Sequence, residues 1–118
     1  MSADRAAPDE HDPLIAALLE VLDANRSLQG VLHGSEARIL HYIAELRSGR
    51  RTADLVRSTA TEAVRNEDNH GFERLTRARR QSRAATFRRL IDEGMSRREI
   101  AENWGFSQQV VSRILRQQ

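Results

Sequence analysis

The chain has 118 residues, enough for one domain or two very small ones, and 39% of them are hydrophobic, which suits a modest core. It contains no cysteine, so a disulfide framework, a thiolate metal site and a cysteine nucleophile are excluded. All 19 basic residues are arginine. The net charge differs between the two parts of the chain: it is −5 for residues 1–73, with 8 arginines and 13 acidic residues, and +7 for residues 74–118, with 11 arginines and 4 acidic residues. Such asymmetry indicates either that the basic part meets a polyanion or that its charge is simply solvated.

The N-terminal segment predicts a tail followed by a helix. Residues 1–11 are polar and acidic, and we expect them to form a disordered tail. Asp12 and Pro13 suit the N-cap and the first position of a helix. The apolar residues that follow at helical spacing are Leu14, Leu18, Val21, Leu22 and Leu28. We expect Gly30 and Gly34 to weaken or end this helix.

Two further helices are predicted before a turn. Ser35 can cap the first of them and Gly49 can end it, with apolar residues at Ile39, Leu40, Ile43 and Leu46. The next helix should begin near Thr52. Its apolar residues are Leu55, Val56, Ala60, Ala63 and Val64. The segment 66–71, Asn-Glu-Asp-Asn-His-Gly, has the composition of a turn.

The first helices also fit a repeat of about 3.5 residues, which is typical of coiled coils. The positions in that register are Leu14, Leu18, Val21, Asn25, Leu28 and Leu32. Asn25 falls where coiled-coil dimers often place a polar residue that fixes the register, whereas the alternative is an ordinary amphipathic helix packed within its own chain. We therefore expect residues 12–75 to be a helical oligomerisation region, formed by three helices or by a short coiled coil.

The segment 72–93 carries two apolar faces that are out of phase. The first face consists of Phe72, Leu75 and Ala78, and the second of Ala84, Phe87, Leu90 and Ile91. The arginine-rich residues 76–83 lie between the two faces, and we place the boundary between two functional halves there. Periodicity leaves open whether 72–93 is one helix or two, so residues 76–83 form either a basic linker or a bridging helix.

The C-terminal segment predicts two short helices joined by a tight turn. Gly94 ends the preceding helix, and Ser96 with Glu99 forms the capping box Ser-x-x-Glu that begins the next one. Gly105 suits a turn that needs a positive φ, and Ser107 can cap the last helix. The residues expected in a small core shared with the helix around Phe87 are Ile100, Ala101, Trp104, Phe106, Val110, Val111, Ile114 and Leu115.

Several residues in this segment have the spacing of a known structural motif. They are Glu99-Ile100-Ala101, Gly105, Ser107, Val111 and Ile114. In this register the chain resembles the bacterial helix-turn-helix, most closely the C-terminal heads of Hin-type resolvases and invertases, and it is also similar to LuxR-type regulators and sigma-factor region 4. The resemblance covers about residues 84–116 and implies an all-α fold with a helix-turn-helix DNA-binding domain over residues 84–118. The catalytic, receiver and ligand-binding domains of those families have no counterpart, so no catalysis is carried over.

The resemblance implies that the second helix of the motif lies in the major groove of DNA. The residues that would read base edges are Ser107, Gln108, Gln109, Ser112, Arg113 and Arg116. Glutamine can bond an adenine edge with both ends of its amide, and arginine can do the same at guanine. Arginines placed to contact phosphates are Arg83, Arg88, Arg89, Arg97 and Arg98. For each of these arginines the alternative is a solvated face.

No other chemistry is indicated. The four histidines show no ligand-like spacing with carboxylates, a glycine-rich phosphate loop is absent, and Asp92 and Glu93 form a solvated carboxylate pair at a helix end. We therefore expect no metal site, no cofactor and no enzymatic activity. The N-terminus lacks a signal-peptide pattern and no window approaches a membrane span, which predicts a cytoplasmic, nucleoid-associated protein without membrane contact.

Our favoured hypothesis is a transcriptional regulator that binds double-stranded DNA as a homodimer, because a single short reading unit binds weakly. Two alternatives stay open. The chain is an antitoxin or sigma-associated adaptor that binds a protein partner through the acidic residues 12–75, or it is a DNA-bending accessory of a mobile element.

Overall fold

The computed structural model describes residues 11–117, and all regular secondary structure in this range is helical, which confirms the predicted all-α fold. The helices are α1 (Pro13–Arg47), α2 (Thr52–Ser58), α3 (Thr61–Asp92), α4 (Arg97–Trp104) and α5 (Gln108–Arg116). The predicted disordered tail lies outside the described residues except for His11, which is exposed.

Helix α1 begins as predicted at Asp12 and Pro13. The Asp12 Oδ1 atom accepts the backbone N–H groups of Leu14 at 2.9 Å and Ile15 at 3.1 Å. These are two of the donors that the start of a helix leaves without a partner, and Pro13 has no such donor to satisfy. The same carboxylate forms an ion pair with Arg89 of α3, and the hydrogen bond from Arg89 is the main reason why the pKa of Asp12 is lowered.

The expected break at Gly30 or Gly34 is wrong, because α1 continues through both glycines to Arg47. A glycine inside a helix costs only about 1 kcal/mol relative to alanine. Packing of the same helix outweighs this cost, since Leu28 is buried and lies against Gly71 of α3, where a Cβ atom would come within 3.2 Å of the Leu28 Cδ1 atom.

Two consequences follow from the continuity of α1. Ser35 lies inside the helix and does not cap a new one. The predicted coiled-coil register is also interrupted at Leu28, which is part of the core of its own chain, whereas Leu18 and Leu32 of the same register are exposed.

Helix α2 begins at Thr52 as predicted but ends at Ser58. The Thr59 N–H donates to the Val56 carbonyl oxygen and the Thr59 hydroxyl to that of Leu55, which closes the helix. The apolar residues Ala63 and Val64, which we expected on this helix, therefore belong to α3.

The turn expected at 66–71 is also wrong, because this segment is a helical part of α3. Asp68 pairs with Arg38 of α1 at 3.5 Å, and Gly71 contacts Leu28, so packing against α1 overrides the turn-like composition. Since α3 is one helix from Thr61 to Asp92, residues 76–83 are a helical segment and not an irregular linker.

The described residues divide into two compact units. The first, called here the N-unit, is residues 23–75, with most of α1, all of α2 and the start of α3. The second, the C-unit, is residues 11–22 and 76–117, so the first turns of α1 group with α4 and α5.

The C-unit has one small core. Its buried residues are Ala84, Phe87, Ile100, Ala101, Val111 and Ile114, and Leu90, Met95, Phe106, Val110 and Leu115 pack around them. Two expectations about this core are wrong. Trp104 is 40% exposed, although its ring makes an edge contact with Phe87 at 4.9 Å between ring centres, and Ile91 is at the surface. A short helix can turn only part of its circumference to the core, and in α4 Ile100 and Ala101 occupy that part.

None of the described helices is long and apolar enough to cross a membrane. Within residues 11–117 no group of three or more His, Asp or Glu side chains is placed to hold a metal ion.

Candidate nucleic-acid interface

The start and end of α4 are fixed by local interactions. The Ser96 hydroxyl oxygen accepts the Glu99 N–H at 3.1 Å, and the Glu99 carboxylate accepts the Ser96 N–H, which is the predicted capping box. At the other end, Gly105 has a φ of 70° and its N–H donates to the Ala101 carbonyl oxygen. The left-handed conformation costs other residues about 1–2 kcal/mol, so glycine allows the chain to turn at once toward α5.

Helix α5 is held against the core by one face. The Ser107 hydroxyl oxygen accepts the Val110 N–H at 3.2 Å and so caps the helix, and Val111 and Ile114 are buried. Because those two side chains face the core, the residues on the opposite side of α5 face solvent. This exposed side contains Gln109 and Arg116.

The six predicted base-reading residues are not equally available. Five of them are exposed: Ser107, Gln108, Gln109, Arg113 and Arg116. The Ser107 oxygen is already the cap acceptor of α5. Ser112 is half-buried, and its hydroxyl oxygen accepts an Nη1 hydrogen of Arg97 at 3.4 Å. The chemistry that α5 offers to a partner is therefore two amides and two guanidinium groups.

A groove of about 820 Å³ lies between α3 and α5, and we call it the basic groove. Its lining residues are Arg77, Arg80, Gln81, Arg83, Ala84, Arg88, Val110, Arg113, Ile114 and Gln117. Half of these residues are arginines and none is acidic. Because the five guanidinium groups all carry a positive charge, an anion that enters the groove is attracted by all of them.

Two arginines of the basic groove are positioned by contacts within the protein. The guanidinium carbon of Arg83 lies 5.4 Å from the ring centre of Phe106, a cation–π geometry, and its Nε atom is buried without a hydrogen-bond partner. An Nη1 hydrogen of Arg88 is donated to the Gln117 carbonyl oxygen at 3.2 Å. Guanidinium groups have five N–H donors, so both side chains keep donors for an anion.

The other arginines that were predicted to contact phosphates differ in their surroundings. Arg97 and Arg98 are exposed in the first turn of α4. Arg89 instead forms the ion pair with Asp12, and the hydrogen bond to that carboxylate is the main reason why the pKa of Arg89 is raised. Arg89 thus helps to tie the start of α1 to α3 within the C-unit.

The basic groove is also lined by Arg77, Arg80 and Gln81, which were not predicted from the sequence as site residues. Residues 77, 81, 84 and 88 recur every three or four positions, which places them on one face of a continuous helix. That signal was present in the sequence, but it depends on α3 being unbroken through 76–83.

No protein family model, no curated protein and no solved structure matches the chain.

Proposed function

We propose that the chain is a sequence-specific, homodimeric transcriptional regulator that binds double-stranded DNA, with α5 as its recognition helix. The observation that carries the proposal is the basic groove, which is free of acidic residues and adjoins the exposed side of α5. DNA binding needs both parts of this arrangement, because phosphate contacts supply affinity and orientation while base contacts supply sequence preference.

The exposed side chains of α5 suit the major groove. Gln108 and Gln109 lie in its first turn, where recognition helices commonly contact base edges, and Arg113 and Arg116 follow along the helix. Glutamine amides match adenine edges, and guanidinium groups match the O6 and N7 acceptors of guanine.

The basic groove suits the phosphate backbone beside that site. Arg113 lines the basic groove and also belongs to the exposed residues of α5, so a duplex that contacts it there brings phosphates close to Arg77, Arg80 and Arg88. Arg83 is half-buried and also lines the basic groove, so it adds a further positive charge there.

The experiment that tests the proposal is selection of bound duplexes from a random pool by the full chain. We expect one enriched motif with two-fold symmetry and half-sites about 10 base pairs apart, or a multiple of that spacing, as for dimeric helix-turn-helix proteins. Trp104 is the only tryptophan of the chain and lies in α4, so its fluorescence provides a direct titration signal. Recovery of random sequences alone would contradict the proposal.

A further inference from the structure

The N-unit exposes an unusual number of large apolar side chains, which we call the apolar face. They are Leu32, Ile39, Leu40, Ile43 and Leu46 of α1 and Val56 of α2, each between 37% and 61% exposed. Single exposed apolar residues are common in proteins, but a continuous apolar surface usually marks an interface.

The spacing along α1 indicates what kind of partner covers the apolar face. Residues 32, 36, 39, 43 and 46 alternate in steps of four and three, which is the pattern of a helix that packs along another helix. This register differs from the predicted one that contains the buried Leu28. Four of the five positions are apolar and the remaining one is Glu36.

A small ligand does not account for the apolar face. Ile39, Leu46 and Val56 do line a groove of about 500 Å³, together with Leu55 and Val64. Leu32, Leu40 and Ile43 are not part of that groove, and a ligand within it would leave them in water. The occupant must therefore extend along α1.

We propose that a second copy of this chain covers the apolar face, with the two α1 helices antiparallel. A parallel pairing in register would place Glu36 directly against Glu36 of the second copy, which is unfavourable because like charges repel. An antiparallel pairing about Ile39 places Glu36 level with position 42 of the other copy, which separates the two carboxylates, and it reduces the offset from Glu36 to the exposed Arg47 of the other copy from eleven positions to five. It is also a two-fold arrangement, in which the same surface serves both copies and the assembly closes as a dimer.

The first test is the mass of the full chain in solution without DNA, measured by sedimentation equilibrium at micromolar to sub-millimolar concentrations. We expect twice the chain mass of 13.4 kDa. Ile43→Glu should give a monomer, because it puts a charge into the seam, while its helical circular dichroism is retained because Ile43 is exposed. Ala37→Glu, an exposed change on the same helix but off the apolar face, should stay dimeric.

A monomeric parent chain overturns the inference, and so does an Ile43→Glu variant that keeps the dimer mass. The orientation is tested by disulfide crosslinking, for which the absence of native cysteine is an advantage. A mixture of Leu32→Cys and Leu46→Cys chains should crosslink to each other, and Leu46→Cys alone should not. Self-crosslinking of Leu46→Cys would overturn the antiparallel arrangement.

This inference rests on the proposed function only for the use of the dimer, which is paired binding to DNA. Failure of the dimer assignment and failure of the DNA-binding proposal can therefore be told apart. A dimer that selects no DNA sequence leaves the apolar face assigned and removes the proposed function. A monomer that selects a DNA sequence leaves sequence-specific DNA binding in place and removes both the assigned apolar face and the homodimeric part of the proposed function.

Discussion

Asp12 performs two tasks at the start of α1, since it caps the helix and pairs with Arg89. Its pKa in the folded chain is lowered, chiefly by the hydrogen bond from Arg89. A carboxylate of this kind stabilises the fold at pH values above its unfolded-state pKa, and the contribution is lost as the pH falls through its folded-state pKa.

Replacing Asp12 with asparagine should therefore lower stability at neutral pH and flatten its dependence on pH in the acid range. Asparagine keeps a side-chain oxygen for the cap, so the change isolates the charge. Urea unfolding of parent and variant at neutral and acidic pH measures the effect. Glu67→Gln removes an exposed carboxylate on α3 and is the control, which should follow the parent. Parallel pH curves for Asp12→Asn and the parent would contradict the assigned role.

Substitution of Arg113 gives the most direct test of base reading by α5, because this residue belongs both to the basic groove and to the exposed residues of α5. Arg113→Ala should cost about 1–3 kcal/mol in affinity for the selected site and relax the preference at one base position. Titration and a repeated selection measure the two effects. If the variant bound every sequence as well as the parent does, the assignment of α5 as recognition helix would be wrong.

Arg77 and Arg80 should behave differently, since we assign them to phosphates. The double change Arg77→Gln, Arg80→Gln should weaken binding to all sequences alike and reduce the slope of log affinity against log salt by about 2. Arg79→Gln is the control, because Arg79 is exposed on the same stretch of α3 but does not line the basic groove. A change in base preference in the double variant would show that these arginines contact bases and not phosphates.

The elements α4 and α5 could be predicted because their boundaries depend on residues that are close in sequence. Ser96 with Glu99 starts α4, Gly105 ends it, and Ser107 starts α5, all within twelve residues. The course of α1 could not be predicted in this way. Its continuity depends on the contact between Leu28 and Gly71, which are 43 positions apart, and such packing overrides local glycine signals.

The basic groove could not be predicted from the sequence for the same reason. The arginine content of 76–83 was evident in the sequence, but the face on which each side chain lies depends on whether α3 is continuous there. The exposure of Trp104 is a related case, because an aromatic residue at the end of a short helix fits the apolar pattern whether it is buried or only touches the core by its edge.

Substitution of two glycines by alanine should change the stability of the chain in opposite directions. Gly105→Ala should destabilise the chain by about 1–2 kcal/mol, because alanine disfavours the left-handed conformation even though its Cβ meets no neighbouring atom. Gly30→Ala lies inside α1 with open space around it and should stabilise by about 0.5–1 kcal/mol. Chemical denaturation of both variants measures the pair, and stabilisation by Gly105→Ala would show that the turn is not held in the left-handed conformation.

For the whole molecule, the two proposed surfaces belong to different units, the apolar face to residues 23–75 and the basic groove to residues 76–117. Dimerisation and base reading are therefore expected to respond to different substitutions. Joining two reading units raises affinity for a double site because the second contact becomes intramolecular, an effect of about 10²–10⁴ when the geometry fits.

This separation predicts how Ile43→Glu affects DNA binding. The parent chain should bind a duplex with two half-sites about 10²–10⁴ times more tightly than one with a single half-site. Ile43→Glu should bind both duplexes with the affinity that the parent has for the single half-site, because its basic groove and α5 are unchanged. Arg113→Ala, in contrast, should weaken binding to both duplexes and keep the ratio between one and two half-sites above unity. Anisotropy of labelled duplexes gives the affinities of all three proteins for both duplexes, with Trp104 fluorescence as a second readout. If Ile43→Glu kept the full preference for two half-sites, the link between the apolar face and the paired reading of DNA would be removed, whatever the affinity of a single unit.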